Sequence, residues 1–133
     1  MSTVQSSPPV SDMLVTVKAR EVQRGMLAEM AGDPGRAACH FLAAAHLELV
    51  LVNDYGQASQ DEMAFRSSVS AASCFWRAGR IEQARTLFRA LTQEYPAQAG
   101  PIQDAIAELE VGWANAASST DEVDGASGRN TLA

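Results

Sequence analysis

The sequence predicts an all-α domain of about five helices, arranged as antiparallel hairpins. Three observations carry that reading. Apolar residues recur at steps of three and four along most of the chain, and no segment shows strand alternation. Glycines and prolines fall where successive apolar stripes end. Aromatic residues make up only 6% of the 133 residues, against 47% hydrophobic overall. A core of Ala, Leu, Val and Met suits closely packed helices better than a sheet.

Residues 1–10 are rich in Ser and Pro and read as a disordered lead. Ser11 is the expected cap of the first helix, with Asp12 at its positive end. Val15, Ala19, Val22, Met26 and Met30 form its stripe, and Gly32 ends it. Asp33-Pro34 opens the second helix, with Asp as cap and Pro at the first helical position. That helix carries Phe41, Ala44, Ala45, Leu47 and Leu51 and is expected to fail between Asn53 and Gly56. Ser59-Gln60-Asp61-Glu62 reads as a capping box for the third helix. Phe65, Val69, Ala72 and Trp76 follow, up to a stop at Gly79. The fourth helix carries Ile81, Ala84, Leu87, Phe88 and Leu91 and stops before Pro96. Gly100-Pro101 opens the fifth, with Ile102, Ala105, Ile106 and Leu109 on one side and Trp113 extending that face. The helical domain therefore covers 11–117, and the polar segment 118–133 reads as a disordered tail.

Charge and composition exclude several function classes. The net charge is -6, which argues against nucleic acid and acidic membranes as partners. The most aliphatic stretch, Leu47–Val52, contains Glu48 and is far shorter than the ~20 residues of a membrane span. The N-terminus has neither the basic region nor the apolar run of a signal peptide. A cytoplasmic protein without a membrane partner is the expectation. Cys39 and Cys74 belong to no Cys-x-x-Cys pair and read as small core thiols.

Two of the turns repeat. Gly32 to Ala37 matches Gly79 to Ala84, both Gly-x4-Ala, at a separation of 47 residues. In the same register Phe41 matches Phe88, Ala44 matches Leu91, Gly25 matches Ala72 and Ala31 matches Ala78. Ala28 stands where the second unit has Phe75. Each unit is a helix, a tight glycine turn, and a second helix whose small Ala permits close approach.

The run from Ala72 through Phe75, Gly79, Ala84, Phe88 and Leu91 to Pro96 resembles the tetratricopeptide repeat family. Residues 11–53 resemble it less fully, through Gly25, Gly32, Ala37, Phe41 and Ala44. The fifth helix fits the first half of a third repeat through Ile102, Ala105 and Leu109. Two departures stand out. The glycine turns are 47 residues apart rather than about 34, an excess assigned to the second helix and the Asn53–Ser59 turn. Glu21 and Ser68 replace the family's large early aromatic. The resemblance implies a short right-handed superhelix of stacked hairpins, with the fifth helix as cap.

It also implies a concave face made by the first helix of each unit. On that face the partner-binding candidates are Met26, Met30, Arg66, Val69, Ser73, Trp76 and Arg77. Val22 and Glu29 join them, with Gln103, Ala107 and Glu110 from the fifth helix. Adaptable methionines with Trp and Arg suit a protein or peptide partner with apolar anchors and some acidic character. Val22 and Met26 occupy the leading positions at which some family members clamp a C-terminal carboxylate, which argues against that clamp. The expected function is a non-enzymatic interaction module, an adaptor or chaperone. The alternative is a structural homodimer, paired through Leu47, Leu49, Val50 and Val52.

From Arg66 to Arg89 there are five arginines and one acid, Glu82, a local +4 inside an otherwise acidic chain. This stripe is either a solvated helix face or a receiver for an acidic surface or for phosphate oxygens. The tail around Asp121, Glu122 and Asp124 is its candidate internal cover. Catalytic signals are sparse. His40 and His46 are six apart and do not share a helix face as metal ligands would. There is no phosphate loop, no Gly-x-Ser-x-Gly and no His-Glu-x-x-His. No cofactor or metal is expected, and an enzyme built on Cys39 and His40 is the remote alternative.

Overall fold

In the computed structural model, described residues 7–112 form five helices and one 3-10 turn, with no strand among them. Helix α1 is Ser7–Met30, α2 Pro34–Gln57, α3 Asp61–Arg77 and α4 Ile81–Glu94. The 3-10 turn Pro96–Gln98 leads into α5, residues 99–112. Residues 1–6 and 113–133 lie outside the described residues, and with them Trp113 and the acidic tail.

Three helix junctions share one hydrogen-bond pattern. At the first, Asp33 N–H donates to Ala28 C=O at 2.9 Å and Gly32 N–H to Glu29 C=O at 3.0 Å. At the third, Arg80 N–H donates to Phe75 C=O and Gly79 N–H to Trp76 C=O. Gly32 and Gly79 have φ of 76° and 82°, the left-handed conformation in which a Schellman motif closes a helix. The middle junction is the same motif with serine in place of glycine. Ser59 has φ 59°, its N–H donates to Gly56 C=O, and Gln60 N–H donates to Tyr55 C=O at 2.8 Å.

That corrects the expected capping box. Ser59 closes α2 instead of opening α3, and the N-cap of α3 is Gln60, which makes no side-chain cap bond. Asp61 and Glu62 instead place negative charge in the first turn of α3. Helix α2 also runs to Gln57, past the expected failure at Asn53–Gly56, because these Schellman bonds fall on Tyr55 and Gly56. Helix α1 starts at Ser7, ahead of the expected Ser11 cap. Pro8 and Pro9 then sit in its first turn, where no intrahelical N–H bond is needed. The Asp33-Pro34 start holds as expected: Asp33 Oδ1 accepts from the N–H of Arg36 at 3.1 Å.

After each junction an alanine occupies the fourth position of the new helix: Ala37, Ala64 and Ala84, all buried. The absence of a longer side chain there lets the next helix approach its predecessor. The core then fills with Phe41, Phe75 and Phe88, and with Ala44, Ala45, Ala72 and Leu91. Ile102 of α5 is fully buried in this cluster, with Ala105, Ile106 and Leu109 packed against it, so α5 covers the last hairpin as expected.

Neighbouring helices run antiparallel. Lys18 meets Glu48 and Gly25 meets Phe41 across α1 and α2; His46 meets Phe75 across α2 and α3; Phe65 meets Tyr95 beyond the end of α4. Hence α1 and α3 are parallel and lie on one side of α2. Glu29 of α1 pairs with Arg77 of α3, 48 positions later. An 18-residue window of α2 has a mean hydropathy of 1.3 and meets the length and composition of a membrane span. In this fold α2 is the central helix, packed against both α1 and α3, and it carries the buried Glu48.

Candidate partner-binding groove

Because α1 and α3 are parallel and both rest on α2, a groove runs between them with α2 as its floor. Between the middle of α1 and the first half of α3 it deepens into a cavity of 260 Å³. Val15 and Lys18 form one wall, Met63, Arg66, Ser67 and Ser70 the other, and Glu48, Leu51 and Tyr55 the floor. At the far end the groove is bridged by Arg77, whose Nη2 lies 2.8 Å from Glu29 Oε1. The same guanidinium lies 4.2 Å from the centre of the buried Phe41 ring, so one side chain of α3 ties α1 and α2 together.

Glu48 is the unusual group. It is 1% exposed, yet only Oε2 has a charged neighbour, Lys18 Nζ at 3.3 Å. Its Oε1 is buried and has no hydrogen-bond partner among the described residues. A buried carboxylate oxygen without a donor is costly, because desolvation of a charged acceptor is not offset. Its field also reaches Cys74 on α3. Burial pushes the Cys74 thiol up to about 11, and the nearby charge of Glu48 adds to the rise. Cys74 is therefore a protonated core thiol, whereas Cys39 is exposed.

The expected site residues separate into three groups. Met26 and Met30 are exposed on α1, in helical step with Val15 and Val22 but outside the lining of the cavity. Arg66 stands at the cavity rim but is paired with Glu62 at 2.8 Å. Val69 and Ser73 are half-buried, and the Ser73 hydroxyl donates back to Val69 C=O. Trp76, expected to be free for a partner, is only 3% exposed. It precedes the Gly79 turn and is folded under α4, where the Arg85 guanidinium lies 5.5 Å from its ring. Gln103, Ala107 and Glu110 are exposed on α5.

Arg66 and Arg77 are both paired inside the chain, with Glu62 and Glu29. Within the Arg stripe, Arg85 also has an internal neighbour, Glu82 at 3.3 Å. The α2 face expected to pair two copies is mostly covered: of Leu47, Leu49, Val50 and Val52 only Val50 is exposed. Helices α1 and α3 account for this, since both pack against α2.

Lys18, Tyr55, Ser67 and Ser70 also line the cavity, and none of them belongs to a sequence motif. Lys18 carried one signal, being the single lysine of the chain. Glu48 carried another, as the acid inside the most aliphatic stretch.

His40 Nδ1 lies 3.0 Å from Glu21 Oε1 on the other side of α1. This hydrogen bond, joined by one from Arg24, holds the Glu21 carboxyl below its ordinary range. His46 packs edge-on against Phe75. Among the described residues no group of three or more His, Cys, Asp or Glu is placed to hold a metal ion. Wider depressions of 430 and 490 Å³ lie beside Tyr95 and beside the Gly32 turn. Neither is lined by a buried polar atom without a partner. No family model matches the chain, and no curated protein and no solved structure matches it.

Proposed function

We propose that this chain is a non-enzymatic interaction module of the tetratricopeptide type, an adaptor or chaperone, that receives a protein or peptide segment between α1 and α3. The observation that carries the reading is the groove itself, with parallel helices as walls and a third helix as floor. The exposed Met26 and Met30 beside it support the same reading, since thioether side chains adapt to irregular apolar partners. The Gly-x4-Ala match between Gly32–Ala37 and Gly79–Ala84 supports the family resemblance. A photo-crosslinking residue at Ser70, in the groove, is compared with one at Val50, on the exposed side of α2. Adducts to a second protein from Ser70 and not from Val50 are the expected result. Adducts from Val50 alone overturn it.

Self-association is a second reading with its own support. Met13, Val17 and Leu27 are exposed along the side of α1 that faces away from the groove. A two-fold contact there would leave the groove open. Sedimentation equilibrium on the chain and on its Val17→Glu, Leu27→Glu variant tests this reading, which predicts a dimer for the former and a monomer for the latter.

A further inference from the structure

The unpartnered oxygen of Glu48 identifies what the groove lacks. We propose that the cavity between α1 and α3 takes the side chain of a lysine presented by a partner peptide, with the ammonium donating to Glu48 Oε1. The inference rests on the groove reading above and specifies its chemistry.

Four features argue for lysine. First, Oε1 is buried and without a donor among the described residues, so a charge-assisted bond is the interaction that recovers most of its lost solvation. Second, only one oxygen is free. Lys18 already lies against Oε2 at 3.3 Å, so the two-pronged fork of an arginine finds no matching pair of acceptors, whereas an ammonium needs only one. Third, the walls suit a lysine along its length. Val15, Leu51 and Met63 are apolar and can cover the four-carbon stem. The hydroxyls of Ser67 and Ser70 line the same cavity and can accept the remaining ammonium protons. Fourth, the local balance does not repel a cation. Lys18 is matched by Glu48, Arg66 by Glu62 at 2.8 Å, and the whole chain carries -6.

The test starts from a random 16-residue peptide library displayed on phage and panned against the full chain. Selected peptides are then synthesised with each lysine replaced by norleucine or by arginine. The expected result is a shared lysine whose norleucine replacement weakens binding about tenfold or more, with arginine binding less tightly than lysine. Glu48→Gln should weaken the lysine peptide and leave the norleucine peptide unchanged. The norleucine arm changes only the peptide, so it decides the question even if Glu48→Gln folds poorly.

Peptides that bind equally with norleucine, or that carry no lysine, overturn the lysine assignment. If such peptides are still excluded by Ser70→Trp, which fills the cavity, the groove reading survives. Peptides insensitive to Ser70→Trp, or no enrichment at all, overturn both. A crystal structure of the complex with only a water on Oε1 also overturns the lysine assignment.

Discussion

Replacing Lys18 is far more damaging than replacing its partner Glu48, although both changes break the same ion pair. The Glu48 side chain is 2% exposed and that of Lys18 is 24% exposed. Lys18→Met keeps most of the stem but strands a buried carboxylate with no cation on either oxygen. Stranding such a charge costs about 3–5 kcal/mol, and the lower end applies here because the cavity beside Glu48 admits water. Glu48→Leu removes the charge and the orphan oxygen together, while the partly exposed Lys18 ammonium can turn to solvent. That variant should fall within about 1 kcal/mol of the parent, and so should the double variant. The cycle therefore predicts a coupling of about 3 kcal/mol. Urea unfolding followed by far-ultraviolet circular dichroism measures all four proteins, and thermal midpoints should show Lys18→Met about 12 °C lower. If Lys18→Met costs no more than Glu48→Leu, Glu48 is not a buried charge, and the electrostatic account of the groove fails.

Gly25→Ala should destabilise by about 1–2 kcal/mol even though alanine is the better helix former. Its Cβ would sit 2.8 Å from Phe41 Cε2, and that ring is held by the guanidinium of Arg77; denaturant titration showing stabilisation would refute the close approach. Ser59→Gly should stabilise by about 0.5–1 kcal/mol and Gly79→Ala should destabilise by a similar amount, because both positions are left-handed. No neighbour lies within 4 Å of a Cβ at Gly79, so its effect is conformational only, and equal melting temperatures for parent and variants would contradict it. Glu21 is held below its ordinary 4.5, so its stabilisation is complete above that value and is lost as pH falls through the lowered one. The stability gap between the parent and Glu21→Gln should therefore be open just above pH 4.5 and close as the pH falls further; a gap that widens below pH 4 would be the opposite sign.

The hairpin ends were legible because their chemistry is local. Gly32 and Gly79 supply a positive φ, Asp33-Pro34 starts a helix, and Pro96 stops one. The middle turn was hidden because Ser59-Gln60-Asp61-Glu62 matches two motifs at once. Its alanine frame, Ala58 to Ala64, repeats Ala31 to Ala37 and Ala78 to Ala84, and that frame assigns Ser59 to the end of α2. The site was less legible than the fold. Whether Trp76 faces a partner or α4 depends on a packing angle that periodicity along one helix does not contain. Glu48 was visible as an anomaly within Leu47–Val52. Its meaning depends on Lys18, thirty positions earlier, and on which sides of α2 are taken by α1 and α3.

A crystal structure of the full chain with a peptide selected from the random library tests the central claim most directly. The account predicts continuous peptide density between α1 and α3, with a lysine Nζ within hydrogen-bond distance of Glu48 Oε1. Peptide bound on α4, on α5 or on the outer side of α1, with the groove between Lys18 and Ser70 left unfilled, would contradict it.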